Sequence, residues 1–225
     1  MQKHDRDKEK LVRNYIKITK DSAVLDVGCA VGTFLLYMKD KFDCKISGVD
    51  FKEGLTYPGF DKIDFYQGLF YESSIPENSY DLITMWHFLE HCYDPNKSLQ
   101  MAKKSLKDDG RLIIEVPRLD SLTFKLFKNR WPGVQAPQHT ALYDKKSFLK
   151  LLENNGLLIE KHLPYGAFPP YFYIFTGSYF KLFGKGLKLD KIIAPYFSGQ
   201  LLLTPLLALQ KYLNLSMQTV VCKKR

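Results

Sequence analysis

Three groups of residues in this chain have types and spacings that could do chemistry. Asp26, Gly28 and Gly32 lie in VLDVGCAVG, Val24 to Gly32, with an apolar β-rich entry before it and an amphipathic run, Thr33 to Lys41, after it. That is a strand, a tight turn and a helix start. Glycine lets the backbone take φ > 0 or lets a ligand come close, and a helix start leaves N–H groups unpaired. Asp50 ends a short β-like run, KISGV, 22 residues after Gly28. An acid there, at the tip of the second strand of a βαβ unit, can accept both hydroxyls of a ribose. The third group is His87, Glu90 and His91 in HFLEH, together with His139 in a later loop. Histidine titrates near neutrality and suits proton removal, and both residue types are metal ligands.

Spacing decides what the glycine turn would hold. A dinucleotide fingerprint needs G-x-G-x-x-G with a pyrophosphate on the helix dipole. This chain has D-x-G-x-A-x-G. The acid two residues before the first glycine repels a pyrophosphate and suits a ligand carrying an ammonium group, as S-adenosylmethionine does. The turn resembles the first motif of the class I S-adenosylmethionine-dependent methyltransferases, an acid followed by glycines at every second position, with Ala30 in place of the middle glycine. The segment QHTALYDKKSFLKLLENNG, Gln138 to Gly156, is similar to the type 23 branch of that family. The resemblance covers roughly residues 20 to 165 and a last strand, Met217 to Cys222. It implies a cofactor site at Asp26, Gly28, Ala30, Gly32, Asp50, Phe51, Leu69, Phe70 and Trp86, with S-adenosylhomocysteine as product. Relatives often carry an acid for the adenine amino group where this chain has Leu69, so apolar packing and backbone groups are expected to hold the adenine.

HFLEH also matches the H-x-x-E-H signature of inverted zinc proteases, and histidines at i and i+4 share one face of a helix. A strand directly before it and the Asp94–Pro95 helix start after it argue against the protease. The run further resembles the Glu-x-x-Glu-His stretch of quinone O-methyltransferases, linked to a divalent metal, with His87 replacing the first acid. The reading preferred here assigns no metal and lets Glu90 and His91 cap and orient a loop. Methyl transfer is an in-line displacement in which the protein mostly supplies position and water exclusion. A hydroxyl acceptor also needs a base, for which His87, at a strand's carboxyl end, and His139 are the candidates. A loop histidine bonding backbone is the competing reading of His139.

The elements that must position these residues follow from periodicity. An amphipathic helix, Asp5 to Ile18, leads into the first strand and could cap the cofactor site or simply pack. Strands at Ile63–Gln67, Tyr80–Trp86, Arg111–Val116 and Leu157–Leu163 alternate with helices, one from Asp94 through Leu106, stopped by KDDG, and one from Lys145 to Asn155. Such alternation implies a Rossmann-like, mostly parallel seven-stranded sheet with helices on both faces, its ligands at the strands' carboxyl ends.

With 225 residues, 45% of them hydrophobic, the chain suits one domain with an appendage. Four scattered cysteines give neither a zinc ribbon nor a disulfide framework. The polar start MQKHDRDKEK lacks a secretory signal pattern, so a cytoplasmic setting is expected. The net charge of +9 is concentrated from Lys161 onward, where eight lysines and one arginine face the single acid Asp190. The methyltransferase domain is therefore read as 1–165 plus 216–225, with a helical C-terminal insertion, 166–215, between the last two strands. PPYFYIFTGSYFKLF, Pro169 to Phe183, is aromatic, Lys181, Lys185 and Lys188 follow helical spacing, and leucines crowd 201–209. Pro195 and Pro205 interrupt the uncharged run, which rules out a spanning helix. Two readings stay open: an element lying on an anionic membrane surface, and a lid or dimer interface over the substrate pocket. The leucine run argues against a nucleic-acid partner. The expected activity is O-methylation of an apolar or lipid-linked small molecule by a peripheral membrane enzyme. A soluble sugar or natural-product methyltransferase and a non-catalytic cofactor-binding interaction protein remain as alternatives.

Overall fold

The computed structural model describes residues 3–52, 54, 56–184, 203 and 209–225. In chain order it runs α1 (Lys3–Val12), β1 (Ala23–Val27), α2 (Thr33–Phe42), β2 (Lys45–Asp50) and β3 (Asp64–Gln67), then β4 (Tyr80–Trp86), α3 (Pro95–Ser105) and β5 (Leu106–Pro117). It continues through α4 (Leu122–Phe127), α5 (Lys145–Asn154), β6 (Leu157–Leu163), α6 (Pro170–Phe183) and β7 (Met217–Lys224). The seven strands form one sheet in the order β3-β2-β1-β4-β5-β7-β6. Pairs from β3 to β5 are parallel, and β7 runs antiparallel to both β5 and β6. The expected mostly parallel seven-stranded fold is the one observed.

Period-two alternation splits the apolar residues between two cores. Leu25, Val27, Ile83, Met85, Leu112 and Ile114 pack on the face that carries Leu99 of α3 and Phe148 and Leu152 of α5. Val24, Leu82, Trp86 and Ile113 pack on the other face with Leu11 and Val12 of α1 and Phe34, Leu35 and Met38 of α2. Asp94 caps α3 by accepting from the Lys97 N–H at 3.0 Å, with Pro95 in the first turn. Asp144 caps α5 in a reciprocal capping box with Ser147.

Several boundaries move. The leader helix stops at Val12 rather than Ile18. The KDDG segment belongs to β5, which begins at Leu106 opposite Tyr80 and bulges before Leu82 pairs with Arg111. HFLEH is not a helix: His87 takes a left-handed φ of +54° and only a single 3-10 turn, Leu89–His91, follows. His87 and His91 therefore share no helical face, which removes the geometry the protease reading needed.

The short helix α4 carries no period long enough to be read in the sequence. It packs with Trp131 and α6 in a third cluster of Phe127, Trp131, Tyr173 and Met217. A side chain at Gly177 of α6 would run into the Phe127 ring, so the two helices approach through a residue without a Cβ. Helix α6 ends at Phe183 with Gly184 as its C-cap at φ 80°. Lys185, Lys188 and most of the leucine run lie outside the described residues. No helix among the described residues is long and apolar enough to cross a membrane.

Candidate active site

The glycine turn is built against the tip of β2. Gly28 and Cys29 both donate their N–H to the Val49 carbonyl, at 2.8 and 3.1 Å. Gly28 has φ +78°, and a Cβ there would lie 3.0 Å from the Phe88 ring. Glycine is required at that point by conformation and by space. Ala30 is also left-handed, at φ +50°, and its N–H donates to Asp50 Oδ2 at 2.8 Å. The Phe51 N–H donates to Asp50 Oδ1 at 2.7 Å. Each carboxylate oxygen is thus held by one backbone donor and keeps acceptor capacity.

An alanine in the left-handed region costs about 1–2 kcal/mol relative to glycine, against roughly 0.4–1 kcal/mol of extra unfolded-state entropy for glycine. Ala30→Gly is therefore expected to stabilise the fold slightly, by about 0.5 kcal/mol in urea denaturation. A loss above about 1 kcal/mol would mean that the methyl group packs rather than strains.

Asp50 opens on a cavity of about 220 Å³ also lined by Gly28, Phe51, Leu69, Phe70, His87, Phe88 and His91. Phe51 is 54% exposed and Phe70 is buried. These walls fit an adenosine: a carboxylate with spare lone pairs for a ribose diol, apolar groups for a base, and a bare glycine where the ligand must pass close. Asp26, Ala30, Gly32, Trp86 and His139 do not line the cavity. Ala30 acts through Asp50, and Gly32, at φ +74°, starts α2.

Asp26 and Trp86 lie beneath α1, whose Asp5 accepts from Thr33 Oγ1 at 3.2 Å and whose Glu9 pairs with Lys41 at 2.8 Å. Lys8 Nζ sits 5.3 Å over the Trp86 ring. Burial pushes the Asp26 carboxyl up to about 6, partly offset by Lys8 and by the bond from Thr84 Oγ1 at 2.6 Å. The buried Trp86 Nε1 has no hydrogen-bond partner among the described residues.

At the ends of β4 and β5 the side chains become ionic. His87 Nε2 lies 3.2 Å from Glu115 Oε1 and Nδ1 lies 3.4 Å from Glu90 Oε1, and both acids are fully buried. Burial pulls the imidazole down, but the two carboxylates outweigh it and push His87 up to about 9. Burial likewise works to raise Glu115, and the facing His87 and the backbone donors of Ala167 and Phe168 hold it below its ordinary value. Those N–H groups reach Glu115 at 2.6 and 3.1 Å. The Phe168 ring then stands edge-on to His87 at 4.9 Å, so the segment leading into α6 covers this end of the site.

With a carboxylate at each ring nitrogen, His87 is held as a cation, a state with no lone pair for a proton. His139 differs: its Nδ1 meets the Gly133 carbonyl at 2.7 Å, and burial keeps its pKa below the ordinary value. His91 lies edge-on to it at 4.5 Å. Glu115, Lys8, Phe88 and Phe168 are site residues that sequence reasoning missed. Glu115 carried a usable signal, an acid inside the otherwise apolar strand run LIIEV.

A profile of the type 23 methyltransferase-domain family matches residues 2–162. A phosphoethanolamine N-methyltransferase of Plasmodium falciparum is 26% identical over 113 residues, which are 47% of this chain and 42% of that protein. Among solved structures, phosphoethanolamine N-methyltransferase 2 of Haemonchus contortus is similar with a TM-score of 0.63 and 14% identity, over 97% of this chain and 52% of that one. Geranyl diphosphate C-methyltransferase of Streptomyces coelicolor A3(2) gives 0.62 and 11%, over 98% and 80%. The chain thus spans about half the length of the phosphoethanolamine methyltransferases it matches, and the structural likeness speaks for the fold alone. The profile match reaches well past half of the chain, and on that ground the chain belongs to the type 23 methyltransferase-domain family, within the class I S-adenosylmethionine-dependent methyltransferases.

Proposed function

We propose that this chain methylates a hydroxyl oxygen of an apolar or lipid-linked small molecule, with the adenosine of S-adenosylmethionine in the Asp50 cavity. The observation that carries the reading is that cavity: it joins a backbone-held carboxylate and apolar walls to His87 and His91. When bound, the cofactor supplies an electrophilic methyl group on a sulfonium. The protein's residues then have three tasks. Asp50 fixes the ribose, and Gly28 lets the sulfonium arm pass over the turn. Phe88 and Phe168 narrow the space around His87 and exclude water.

The acceptor oxygen must shed a proton as it forms its bond to the methyl carbon and the carbon–sulfur bond breaks. Two histidines keep a ring nitrogen open to accept it: His139, whose Nδ1 is taken by the Gly133 carbonyl, and beside it His91, whose Nδ1 is taken by the Gln138 carbonyl and which lines the cavity. The acceptors named for the similar proteins, phosphoethanolamine and geranyl diphosphate, are small molecules, which supports an acceptor of that size here.

The membrane-surface part of the proposal draws on α4 and α6. Leu122, Leu126, Leu182 and Phe183 are 48 to 74% exposed on these two helices, with Lys125 and Lys181 among them and Lys128 at the C-cap of α4. Phe168 over His87 favours a lid role for the start of the same insertion, and one element can serve both. The test offers S-adenosylmethionine and a polyprenyl or quinol-type alcohol in anionic vesicles, and follows S-adenosylhomocysteine release. Turnover is expected, and it should disappear when the hydroxyl is blocked as a methyl ether. Turnover of phosphoethanolamine instead would overturn the oxygen assignment. Tight cofactor binding without product from either would favour the non-catalytic reading.

A further inference from the structure

We propose that Glu90, His91 and His139 form a divalent-cation site of the two-histidine, one-carboxylate kind beside the cavity. Each offers one ligand atom, and the three atoms lie within 4.8 Å of one another. The set differs from the one the sequence suggested: it leaves out His87, which faces Glu90 and Glu115, and it takes His139 from a segment 48 residues further along the chain.

Three observations point to a cation. First, both imidazoles are oriented as ligand histidines are. His91 Nδ1 lies 3.0 Å from the Gln138 carbonyl and His139 Nδ1 lies 2.7 Å from the Gly133 carbonyl. A carbonyl only accepts, so each Nδ1 donates there and Nε2 is the ring atom left to ligate an ion.

Second, Glu90 is fully buried, and neither of its oxygens accepts a hydrogen bond from a described residue. Its Oε1 faces His87 at 3.4 Å, and its other oxygen meets no hydrogen-bond donor among the described residues although the carboxylate is removed from water. A cation on the side of His91 and His139 would supply the missing partner.

Third, the two segments are fastened together. Thr140 and Ala141 donate their N–H to the Glu90 carbonyl at 2.8 and 3.2 Å, and Thr140 Oγ1 reaches the carbonyls of Glu90 and Cys92 at 3.1 and 3.0 Å. The ligands therefore sit on a bonded frame that holds His139 beside the 90–92 turn.

Two imidazoles and one carboxylate favour zinc, cobalt, iron(II) or manganese over magnesium or calcium, which prefer all-oxygen sites. Three protein ligands leave a coordination position open. His91 also lines the cavity, so that position is beside the acceptor's end of it. There the ion would take the acceptor hydroxyl oxygen as a ligand and ease loss of its proton, which then leaves to water because the ion occupies the Nε2 lone pairs that would otherwise accept it. This role rests on the proposed O-methylation; the ion site itself does not.

The test titrates chelator-stripped full-length protein with Co²⁺ by visible absorption and with Zn²⁺ by calorimetry, without S-adenosylmethionine. Wild type is expected to bind one ion, and His139→Ala, His91→Ala and Glu90→Gln each to weaken it by at least about tenfold. His139 and His91 are not fully buried, so their variants fold even if Glu90→Gln does not, and circular dichroism verifies this. No stoichiometric ion on wild type, or histidine variants that bind as tightly, would overturn the site. Cofactor affinity measured on the same samples keeps the two proposals apart: a protein that binds the ion but shows no affinity for S-adenosylmethionine sinks the methyl-transfer reading and leaves this one standing.

Discussion

Asp50→Ala is expected to weaken S-adenosylmethionine by at least about 100-fold in calorimetry, the largest effect of any single change on cofactor binding. A hydrogen bond to a charged group contributes roughly 1.5–3 kcal/mol, and a ribose offers this carboxylate two hydroxyls, so a loss of about 3 kcal/mol is a lower bound. A second effect adds to the first. The same oxygens hold the N–H groups of Ala30 and Phe51, and without them the glycine turn loses its side-chain tie to the tip of β2 and keeps only the backbone bonds to Val49. Asp50→Asn separates the two effects, because it keeps one acceptor oxygen and the side chain's shape while losing the charge. Its affinity should fall between wild type and alanine. Wild-type affinity in the alanine variant, with the fold intact, would place the ribose elsewhere.

Much of this site was legible because it depends on local chemistry. Glycine at a left-handed turn, an acid at the tip of a parallel strand and an Asp-Pro helix start are each written in a few consecutive residues. Gly28, Asp50 and Asp94 stand where that reasoning put them. What stayed hidden depends on pairs distant in the chain. Glu115 matters through Ala167 and Phe168, over fifty residues later, and His139 meets His91 only because Thr140 bonds the Glu90 carbonyl. HFLEH has the spacing of a helix, but the strand before it and the Asp94–Pro95 start after it argue against one, and the left-handed His87 ends the strand in a turn too short to be one. Lys8 was invisible because only the packing of α1 against α2 brings it over Trp86.

The largest stability effect is expected from Glu115→Gln. Glu115 is fully buried, faces His87 at 3.2 Å and accepts from two backbone N–H groups. Removing its charge leaves His87 with one carboxylate instead of two, and breaking a buried pair costs about 3–5 kcal/mol. For a domain of this size that is a fall in Tm of about 6–20 °C. The pH dependence gives a sharper reading. His87 is raised from 6.5 to about 9 in the fold, so its contribution is fully present below about pH 6.5 and is lost as pH rises to 9. A difference of that size is on the order of 3 kcal/mol. Glu115 is lowered from 4.5, so its contribution holds above that pH and fades on acidification. Asp26, raised to about 6, destabilises the fold as it ionises, but that change lies mostly below about pH 7 and is common to both proteins. Wild-type stability in urea should therefore decline between about pH 6.5 and 9, and in Glu115→Gln that decline should shrink by half or more. Parallel pH curves for the two proteins would mean that His87 is not held as a cation by Glu115, and the segment carrying Phe168 over the site would then be anchored by its backbone bonds alone.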